Sequence, residues 1–171
     1  MKIGPSTDLA ADYGPLVTKD AVNRVKNYID IGVKEGATLA VDGRGFKMQG
    51  YEKGFYIGSS LFDHVKPDMR IYKEEIFGPV VTITPFDTED EVLAYANSVR
   101  YGLSATVWTE NLSRAHRLSS NLETGIVWVN CWLLRDLRTP FGGVKDSGIG
   151  REGGFEALRF FTEEKNVCVK I

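Results

Sequence analysis

Short apolar runs alternate with helical stretches along the whole chain, and this alternation limits the fold to one class. Residues 79–84, 104–108 and 126–129 are rich in β-branched and other apolar residues, which predicts strands. Thr88 and Asn111 stand between these runs, where helix N-caps are expected, and Thr88 opens a Thr-Glu-Asp-Glu capping box. Repeated β–α–β units predict the α/β class, with a mostly parallel sheet and helices on both of its faces.

The ends of the chain continue this pattern. An apolar stripe at helical spacing predicts a helix over 20–35, and a strand follows at 37–41. Gly125 is placed to end the helix that follows Asn111, as a C′ glycine. A last helix is predicted over 155–164, and alternating apolar residues predict a terminal strand over 166–171.

Composition excludes several classes of protein. The 171 residues are enough for one core without disulfides or metals. Lys and Arg number 21 against 23 Asp and Glu, so no charge excess points to nucleic acid or to an acidic membrane as a partner. No apolar run reaches the length of a membrane span. Cys131 and Cys168 lack zinc-site spacing, so no metal is expected, and two thiols suit the reducing cytoplasm.

Gly148 to Gly153 match the spacing GxGxxG, yet the context does not suit a dinucleotide site. A loop precedes the motif where a strand is required, and the acidic residue expected about 20 positions later would fall beyond Ile171. These glycines are instead expected to let the backbone turn sharply and approach another segment closely.

Three segments carry unusual combinations of residues. They are Glu-Glu-Ile-Phe-Gly-Pro at 74–79, Gly-Ile-Val-Trp-Val-Asn at 125–130, and the glycine-rich segment Thr-Pro-Phe-Gly-Gly-Val-Lys-Asp-Ser-Gly-Ile-Gly-Arg-Glu at 139–152. Taken singly, each has a structural explanation: a turn into a strand, a buried strand, and a loop that closes onto a helix. In this order and spacing they resemble the C-terminal third of the NAD(P)-dependent aldehyde dehydrogenase superfamily, and the resemblance covers essentially the whole chain.

The resemblance implies two cofactor-binding residues. Glu75, the second glutamate of the motif, corresponds to the residue that binds the nicotinamide ribose of NAD, and one carboxylate can accept hydrogen bonds from two vicinal hydroxyls. Phe77 corresponds to the aromatic residue that packs beside the nicotinamide ring. The alternative for Phe77 is an ordinary core anchor at the entry to a strand.

The resemblance also implies a substrate site for a small aldehyde. Asn130 and Phe141 bracket the segment that lines the aldehyde tunnel of the family. The stretch between them carries Arg135 and Arg138, and it is similar to the 2-hydroxymuconate and 2-aminomuconate semialdehyde dehydrogenases. A guanidinium there can bind a substrate carboxylate through two parallel hydrogen bonds. The alternative is that one arginine pairs with Asp136 or with solvent, so one of the two is expected to be functional.

The first half of the chain points to a different subfamily. Residues 41–50 and 61–73 look closer to methylmalonate-semialdehyde dehydrogenase, a CoA-acylating relative. The proline-rich segment usual in that relative after the Val-Asn strand end is absent here. Because the tunnel-lining half contacts the reacting end of the substrate, the expected reaction is oxidation of a carboxylated semialdehyde to its acid with NAD, and methylmalonate semialdehyde is the alternative substrate.

The resemblance further implies that the reaction needs parts that lie upstream of the matched region: the nucleophilic cysteine, the oxyanion asparagine, the general-base glutamate and the dinucleotide-binding fold. Cys131 and Asn130 match neither of the first two, so no catalytic residue is assigned. We expect residues 1–165 to form part of a catalytic domain and 166–171 to be a strand of its oligomerisation region.

Two hypotheses follow. In the first, the chain is a piece of an aldehyde dehydrogenase. Alone it is expected to be inactive and not to hold NAD, and it needs the N-terminal part of the enzyme for both. In the second, it is a stand-alone interaction module. It would use the cut face and the exposed edge at 167–171 to pair with a copy of itself or with a full-length relative.

Overall fold

The computed structural model describes all residues from 1 to 171 and divides into two compact units, residues 1–86 and residues 87–171. Both units combine helices with strands, so the predicted α/β class is confirmed. None of the five helices has the length and apolar character that crossing a bilayer requires.

The first unit is built on one long helix. Helix α1 spans Lys19–Lys34 and begins at Thr18, whose hydroxyl accepts a hydrogen bond from the Ala21 amide at 3.1 Å. Its apolar stripe buries Val25 and Ile29 completely. Helix α1 therefore confirms the helix predicted from periodicity.

A three-stranded sheet packs with this helix. Strand β1 spans Thr38–Val41 and β2 spans Ser60–Asp63; after the short helix α2 at Arg70–Lys73, strand β3 spans Val80–Thr82. Strands β1 and β2 are antiparallel, whereas β2 and β3 are parallel. The core of the unit is formed by nine buried apolar residues: Val25, Ile29, Ala37, Ile57, Phe62, Val65, Met69, Ile71 and Ile76.

The second unit contains two small sheets. Its elements are α3 (Glu89–Asn97), β4 (Tyr101–Gly102), β5 (Ser104–Val107), α4 (Leu112–Asn121), β6 (Ile126–Val129), β7 (Val144–Lys145) and α5 (Gly154–Phe160). Strands β5 and β6 are parallel and are joined through α4, while β4 and β7 are antiparallel.

The strands are thus less uniformly parallel than predicted. Two of the four strand pairings are antiparallel. For three of the four pairs the difference follows the connections: a helix lies between β2 and β3 and between β5 and β6, but none lies between β1 and β2. Strands β4 and β7 are antiparallel although α4 and two other strands lie between them. A parallel pair needs such a crossover, whereas an antiparallel pair does not.

Both predicted caps in the second unit are present. The Thr88 hydroxyl accepts from the Glu91 amide at 3.1 Å, and the Asn111 side chain accepts from the Arg114 amide at 2.9 Å. The Glu91 carboxylate reaches back to the amide of Asp87, at 2.7 Å. The capping box is therefore confirmed, with its return hydrogen bond made one residue earlier than the usual form.

The predicted role of Gly125 as a helix terminator is wrong. Helix α4 ends at Asn121, and the extended residue Leu122 is its C-cap. Gly125 instead lies against the backbone of Gly142, where a Cβ atom would stand 1.6 Å from the Gly142 carbonyl oxygen. Glycine is required here because two backbone segments approach each other closely.

The C-terminal segment also differs from expectation. Helix α5 ends at Phe160, and residues 166–171 form no strand within this chain. A strand needs a neighbour for its backbone hydrogen bonds, and no segment of this chain provides one. The alternating residues of this segment are exposed: Val167 at 69%, Val169 at 75% and Ile171 fully. The domain boundary at 165 and the role of this segment in subunit contact remain predictions.

Candidate functional site

Residues 74–79 link α2 to β3, and the side chain of Phe77 in this segment is exposed to solvent. Ile76 is buried, and Gly78 lies so close to α1 that a Cβ atom would stand 2.4 Å from a methyl carbon of Val25. Phe77 lies between these two anchors with a φ of 55° and with 72% of its surface exposed. This backbone conformation is unfavourable for a bulky residue by about 1–3 kcal/mol, so the neighbouring anchors must maintain it.

The two adjacent glutamates of this segment have different environments. The Glu74 carboxylate accepts hydrogen bonds from the Tyr28 hydroxyl at 2.7 Å and from Arg70 at 2.8 and 2.9 Å. Glu75 is exposed and has no hydrogen bond or ion pair within the chain. Glu74 therefore fixes local structure, and only Glu75 has its carboxylate available for a ligand.

The paired state of Glu74 makes a prediction about pH. Arg70 first, and then Tyr28, hold the pKa of Glu74 at about 2, below its ordinary 4.5. The charged form is the stabilised one, so this contribution is complete above pH 4.5 and is lost as the pH falls towards 2. We expect Glu74→Gln to lower the melting temperature at neutral pH, and the deficit to shrink between pH 4.5 and 2. Thermal unfolding monitored by circular dichroism across this range measures the effect.

The neighbouring substitution is the control. Glu75→Gln removes the same charge from a carboxylate with no partner, so its melting temperature should follow that of the wild type at every pH. A pH-independent deficit in Glu74→Gln would contradict the assigned pairing.

Phe77 has one cationic neighbour. The guanidinium carbon of Arg24, on α1, lies 5.8 Å from the centre of the Phe77 ring, within the range of a cation–π contact. The ring of Phe77 is the one contact recorded for the Arg24 guanidinium, which makes no hydrogen bond or ion pair in the structure. Sequence reasoning missed this contact because 53 residues separate the two positions and no motif connects them.

Asn130 follows β6 and connects the ends of two strands. Its side-chain oxygen accepts from the Thr109 amide at 2.8 Å, and its side-chain nitrogen donates to the Thr109 carbonyl, also at 2.8 Å. Both polar groups of this side chain are thus hydrogen-bonded to the backbone just beyond β5. A direct contact of Asn130 with substrate remains a prediction; the geometry shows a residue that fixes the start of the following loop.

The loop over 131–139 is hydrogen-bonded to the buried indole of Trp128. Trp128 is 7% exposed, and its Nε1 donates to the carbonyl of Leu134 at 2.9 Å. Arg138 lies on this loop with 88% of its side chain exposed, and its Nε contacts both oxygens of Asp136, at 2.9 and 3.1 Å. The guanidinium lowers the pKa of Asp136. Arg138 is therefore the arginine that pairs with Asp136, as the sequence allowed for one of the two.

Arg135 has a different environment. Its guanidinium carbon lies 4.1 Å from the centre of the Phe141 ring, and its Nη2 forms an ion pair with Glu152. Phe141 and Glu152 are themselves joined by two backbone hydrogen bonds of 2.8 Å. The Nε and Nη1 groups of Arg135 have no hydrogen bond within the chain. Arg135 is thus a fixed cation with donors still available.

The glycine-rich segment shapes this unit through close backbone contacts. Arg151 donates to the carbonyls of Gly143 and Gly150 at 2.8 and 2.6 Å. Gly153 has a φ of 86°, and a Cβ atom there would stand 2.5 Å from the Thr139 carbonyl oxygen. The last strand before Gly148 is the two-residue β7, which ends at Lys145, and the helix that follows has only seven residues. The glycines have the packing role predicted from their sequence context.

The structure brings some of the predicted residues together. Arg135 and Phe141 are in direct contact, Asn130 and Arg138 are occupied by other partners, and Glu75 lies with Phe77 in the first unit. Glu152, which completes the contact of Arg135 and Phe141, was not among the predicted site residues. Its opposite charge was the only sequence signal, since the 17-residue separation from Arg135 is bridged by tertiary structure.

Comparison with known proteins defines the class of this chain. A profile described as the aldehyde dehydrogenase family matches residues 1–167, so the chain belongs to this family. Among curated relatives, it is 47% identical to 2-aminomuconic semialdehyde dehydrogenase of Danio rerio over 99% of its length. It is 46% identical to 2-hydroxymuconic semialdehyde dehydrogenase of Pseudomonas putida over its whole length. The chain spans 35% of the length of each of these relatives.

Solved structures of the family have the same fold. An NAD⁺ complex of aldehyde dehydrogenase from Bacillus cereus matches 99% of this chain with a TM-score of 0.89 and 46% identity, and the chain covers 34% of it. A putative methylmalonate-semialdehyde dehydrogenase from Sinorhizobium meliloti, complexed with NAD, matches 95% of the chain with a TM-score of 0.89 and 42% identity, and the chain covers 34% of it. Both subfamilies suggested by the sequence are therefore among its relatives.

Proposed function

We propose that this chain is the C-terminal part of an enzyme that oxidises a carboxylated semialdehyde to its acid with NAD. The observation that carries the proposal is Arg135, a guanidinium stacked on Phe141 whose Nε, Nη1 and second Nη2 hydrogen are available. Two parallel hydrogen bonds from a guanidinium match the geometry of a carboxylate. The names of the muconic semialdehyde dehydrogenases, whose substrates carry a carboxylate, support this choice of substrate class.

The residues of the first unit fit an NAD site. The unpaired carboxylate of Glu75 can accept from both hydroxyls of a ribose, and the exposed Phe77 ring offers an apolar face to a nicotinamide. When bound, NAD accepts the hydride that leaves the aldehyde carbon. The part of this chain is to hold and orient the cofactor through Glu75 and Phe77, and the two NAD complexes among the solved relatives support it.

The remaining chemistry belongs, in this proposal, to the rest of a longer protein. The family resemblance assigns the nucleophilic cysteine, the oxyanion donor and the general base to the region upstream of the one matched here. The chain spans 35% of the curated relatives, which is consistent with that division. We therefore propose that the chain alone does not turn over aldehyde, and that the N-terminal part of the enzyme is its partner.

The substrate assignment can be tested with a full-length aldehyde dehydrogenase that contains this segment. We expect Arg135→Ala to raise the KM for succinate semialdehyde about 30-fold, because a charge-assisted pair of hydrogen bonds is lost. The KM for butanal, which has the same carbon number and no carboxylate, should change less than about twofold. Steady-state kinetics with both aldehydes measures the difference.

Arg138→Ala is the matched control, since Asp136 already occupies that guanidinium. We expect its KM for succinate semialdehyde to stay within about threefold of the wild type. Equal effects of Arg135→Ala on both aldehydes would contradict a carboxylate site.

Two alternatives rest on particular observations. The Sinorhizobium meliloti structure favours methylmalonate semialdehyde, with CoA in place of water as the acyl acceptor, and product analysis with and without CoA distinguishes the two. The exposed segment 166–171 favours an interaction module in place of an enzyme part. A defined self-associated species without aldehyde turnover, also after addition of the N-terminal part, would support the module.

A cytoplasmic location is proposed from the two unpaired cysteines.

A further inference from the structure

We propose that Glu152 is a positioning residue that holds the Arg135 guanidinium in place for the carboxylate end of the substrate. The inference rests on the proposed function, because it assigns a partner to the same site. It also adds a residue that contacts no substrate atom and acts only through Arg135.

The backbone fixes Glu152 beside the aromatic ring. The Phe141 amide donates to the Glu152 carbonyl, and the Glu152 amide donates to the Phe141 carbonyl, both at 2.8 Å. This two-way pair does not involve the Glu152 side chain. The carboxylate therefore extends from a fixed point next to Phe141, whichever way Arg135 is turned.

The ring and the carboxylate restrict different motions of Arg135. Stacking on Phe141, with 4.1 Å between the guanidinium carbon and the ring centre, fixes the plane of the guanidinium. Stacking alone allows the guanidinium to rotate within that plane. The ion pair between Nη2 and Glu152 removes this freedom, because it ties one nitrogen to one direction.

One carboxylate on Nη2 does not saturate Arg135. A guanidinium has five N–H donors, and Nε and Nη1 remain without a hydrogen bond in the chain. Nη2 carries two N–H groups, and the one that Glu152 does not use can form a parallel pair of donors with Nε or Nη1. A substrate carboxylate can therefore be added without displacing Glu152. Fixing the guanidinium in advance also reduces the ordering cost that a substrate meets on binding.

The neighbouring arginine shows the opposite arrangement. Asp136 contacts Arg138 through both of its oxygens, lies two residues away, and leaves 88% of the Arg138 side chain exposed. No ring stacks on Arg138. A substrate carboxylate at Arg138 would have to displace Asp136, so the two arginines, similar in sequence, differ in availability.

Stability of the fold does not explain the pair of Arg135 and Glu152. Their side chains are 38% and 62% exposed, and ion pairs at such exposed sites contribute little to folding. Substitution of the Glu152 side chain leaves the backbone pair with Phe141 intact. The variants needed to test the proposal should therefore fold.

The test uses the same full-length enzyme and the same two aldehydes. We expect Glu152→Ala to raise the KM for succinate semialdehyde about tenfold, with kcat and KM for butanal changed less than about twofold. Glu152→Gln keeps an acceptor without the charge, so it should recover part of the loss, with an increase of about threefold. Asp136→Asn, which removes the partner of Arg138, is the matched control and should leave both KM values unchanged.

The outcomes separate the two levels of the proposal. If Arg135→Ala is selective for succinate semialdehyde while Glu152→Ala and Glu152→Gln are silent, the positioning role is overturned and the substrate class stands. Equal losses with both aldehydes in the Glu152 variants also overturn the positioning role. If Arg135→Ala itself is not selective, the carboxylate site and the positioning role both fall.

Discussion

Gly125→Ala should destabilise residues 87–171 by about 3–5 kcal/mol or prevent their folding, a range typical of severe backbone conflicts. A Cβ atom at this position would lie 1.6 Å from the carbonyl oxygen of Gly142, 2.7 Å from its carbonyl carbon and 3.1 Å from the Cα of Gly143. All three are backbone atoms, so no side chain can turn aside to relieve the clash. The Gly125 amide also donates to the Gly102 carbonyl, at 3.1 Å, which limits the movement of Gly125 itself. Urea unfolding followed by near-ultraviolet circular dichroism measures the loss.

Gly45→Ala is the matched control for this substitution. No heavy atom lies within 4 Å of a Cβ at Gly45, and its φ is outside the left-handed region. We expect its free energy of unfolding to remain within about 0.5 kcal/mol of the wild type. A Gly125→Ala protein that unfolds at the urea concentration of the wild type would show that the segments around Gly125 and Gly142 are not in contact.

Glu75→Ala should weaken NAD binding by a full-length enzyme about 100-fold. In the proposed site, Glu75 accepts from two ribose hydroxyls, and each hydrogen bond to a charged group contributes about 1.5–3 kcal/mol. Loss of both, partly offset by water, corresponds to about 2.7 kcal/mol, or two orders of magnitude in the dissociation constant. Isothermal titration of NAD into the enzyme measures binding without relying on turnover.

Glu110→Ala removes a carboxylate that is likewise exposed and without a hydrogen bond. We expect its dissociation constant for NAD to equal that of the wild type. A change of less than about threefold in Glu75→Ala would remove Glu75 from the cofactor site, whatever the result for Arg135.

The longer elements could be predicted because their signals are local. Helix α1 shows its apolar stripe and its Thr18 cap directly in the sequence, and the Thr88 and Asn111 caps locate α3 and α4. Strands β3, β5 and β6 are as short, but they lie in β-branched or apolar runs. Helix α2 and strands β4 and β7 have four residues or fewer and lie in no such run. Their positions depend on neighbours that are distant in sequence.

The segment 166–171 shows that an alternating pattern of apolar residues is not sufficient to predict a strand. Val167, Val169 and Ile171 alternate as strand residues should, yet a strand exists only where a second strand accepts its backbone hydrogen bonds. The same limit explains Gly125. A glycine after a helix suits both a cap and a close contact, and only the position of Gly142 distinguishes them.

The sequence predicted which types of residue form the candidate site, but not which of two neighbouring residues of the same type is already paired. Glu74 and Glu75 are chemically identical neighbours. Arg70, four residues before Glu74, and Tyr28, 46 residues away, both bind Glu74 and leave Glu75 unpaired. The family motif selected Glu75, and the geometry agrees that its carboxylate is available. Likewise, Arg135 and Arg138 both flank Asp136, so the sequence could not separate them; the contact of Arg135 with Glu152 does.

The buried indole beneath the 131–139 loop gives this unit a built-in optical reporter. Of the three tryptophans, Trp108 and Trp132 are 70% and 69% exposed, whereas Trp128 is 7% exposed and bonded to the loop carbonyl at Leu134. An aqueous quencher such as iodide suppresses emission from the exposed pair and leaves that of Trp128. The remaining fluorescence then follows the ordering of the loop that carries Arg135, with no label attached to the protein.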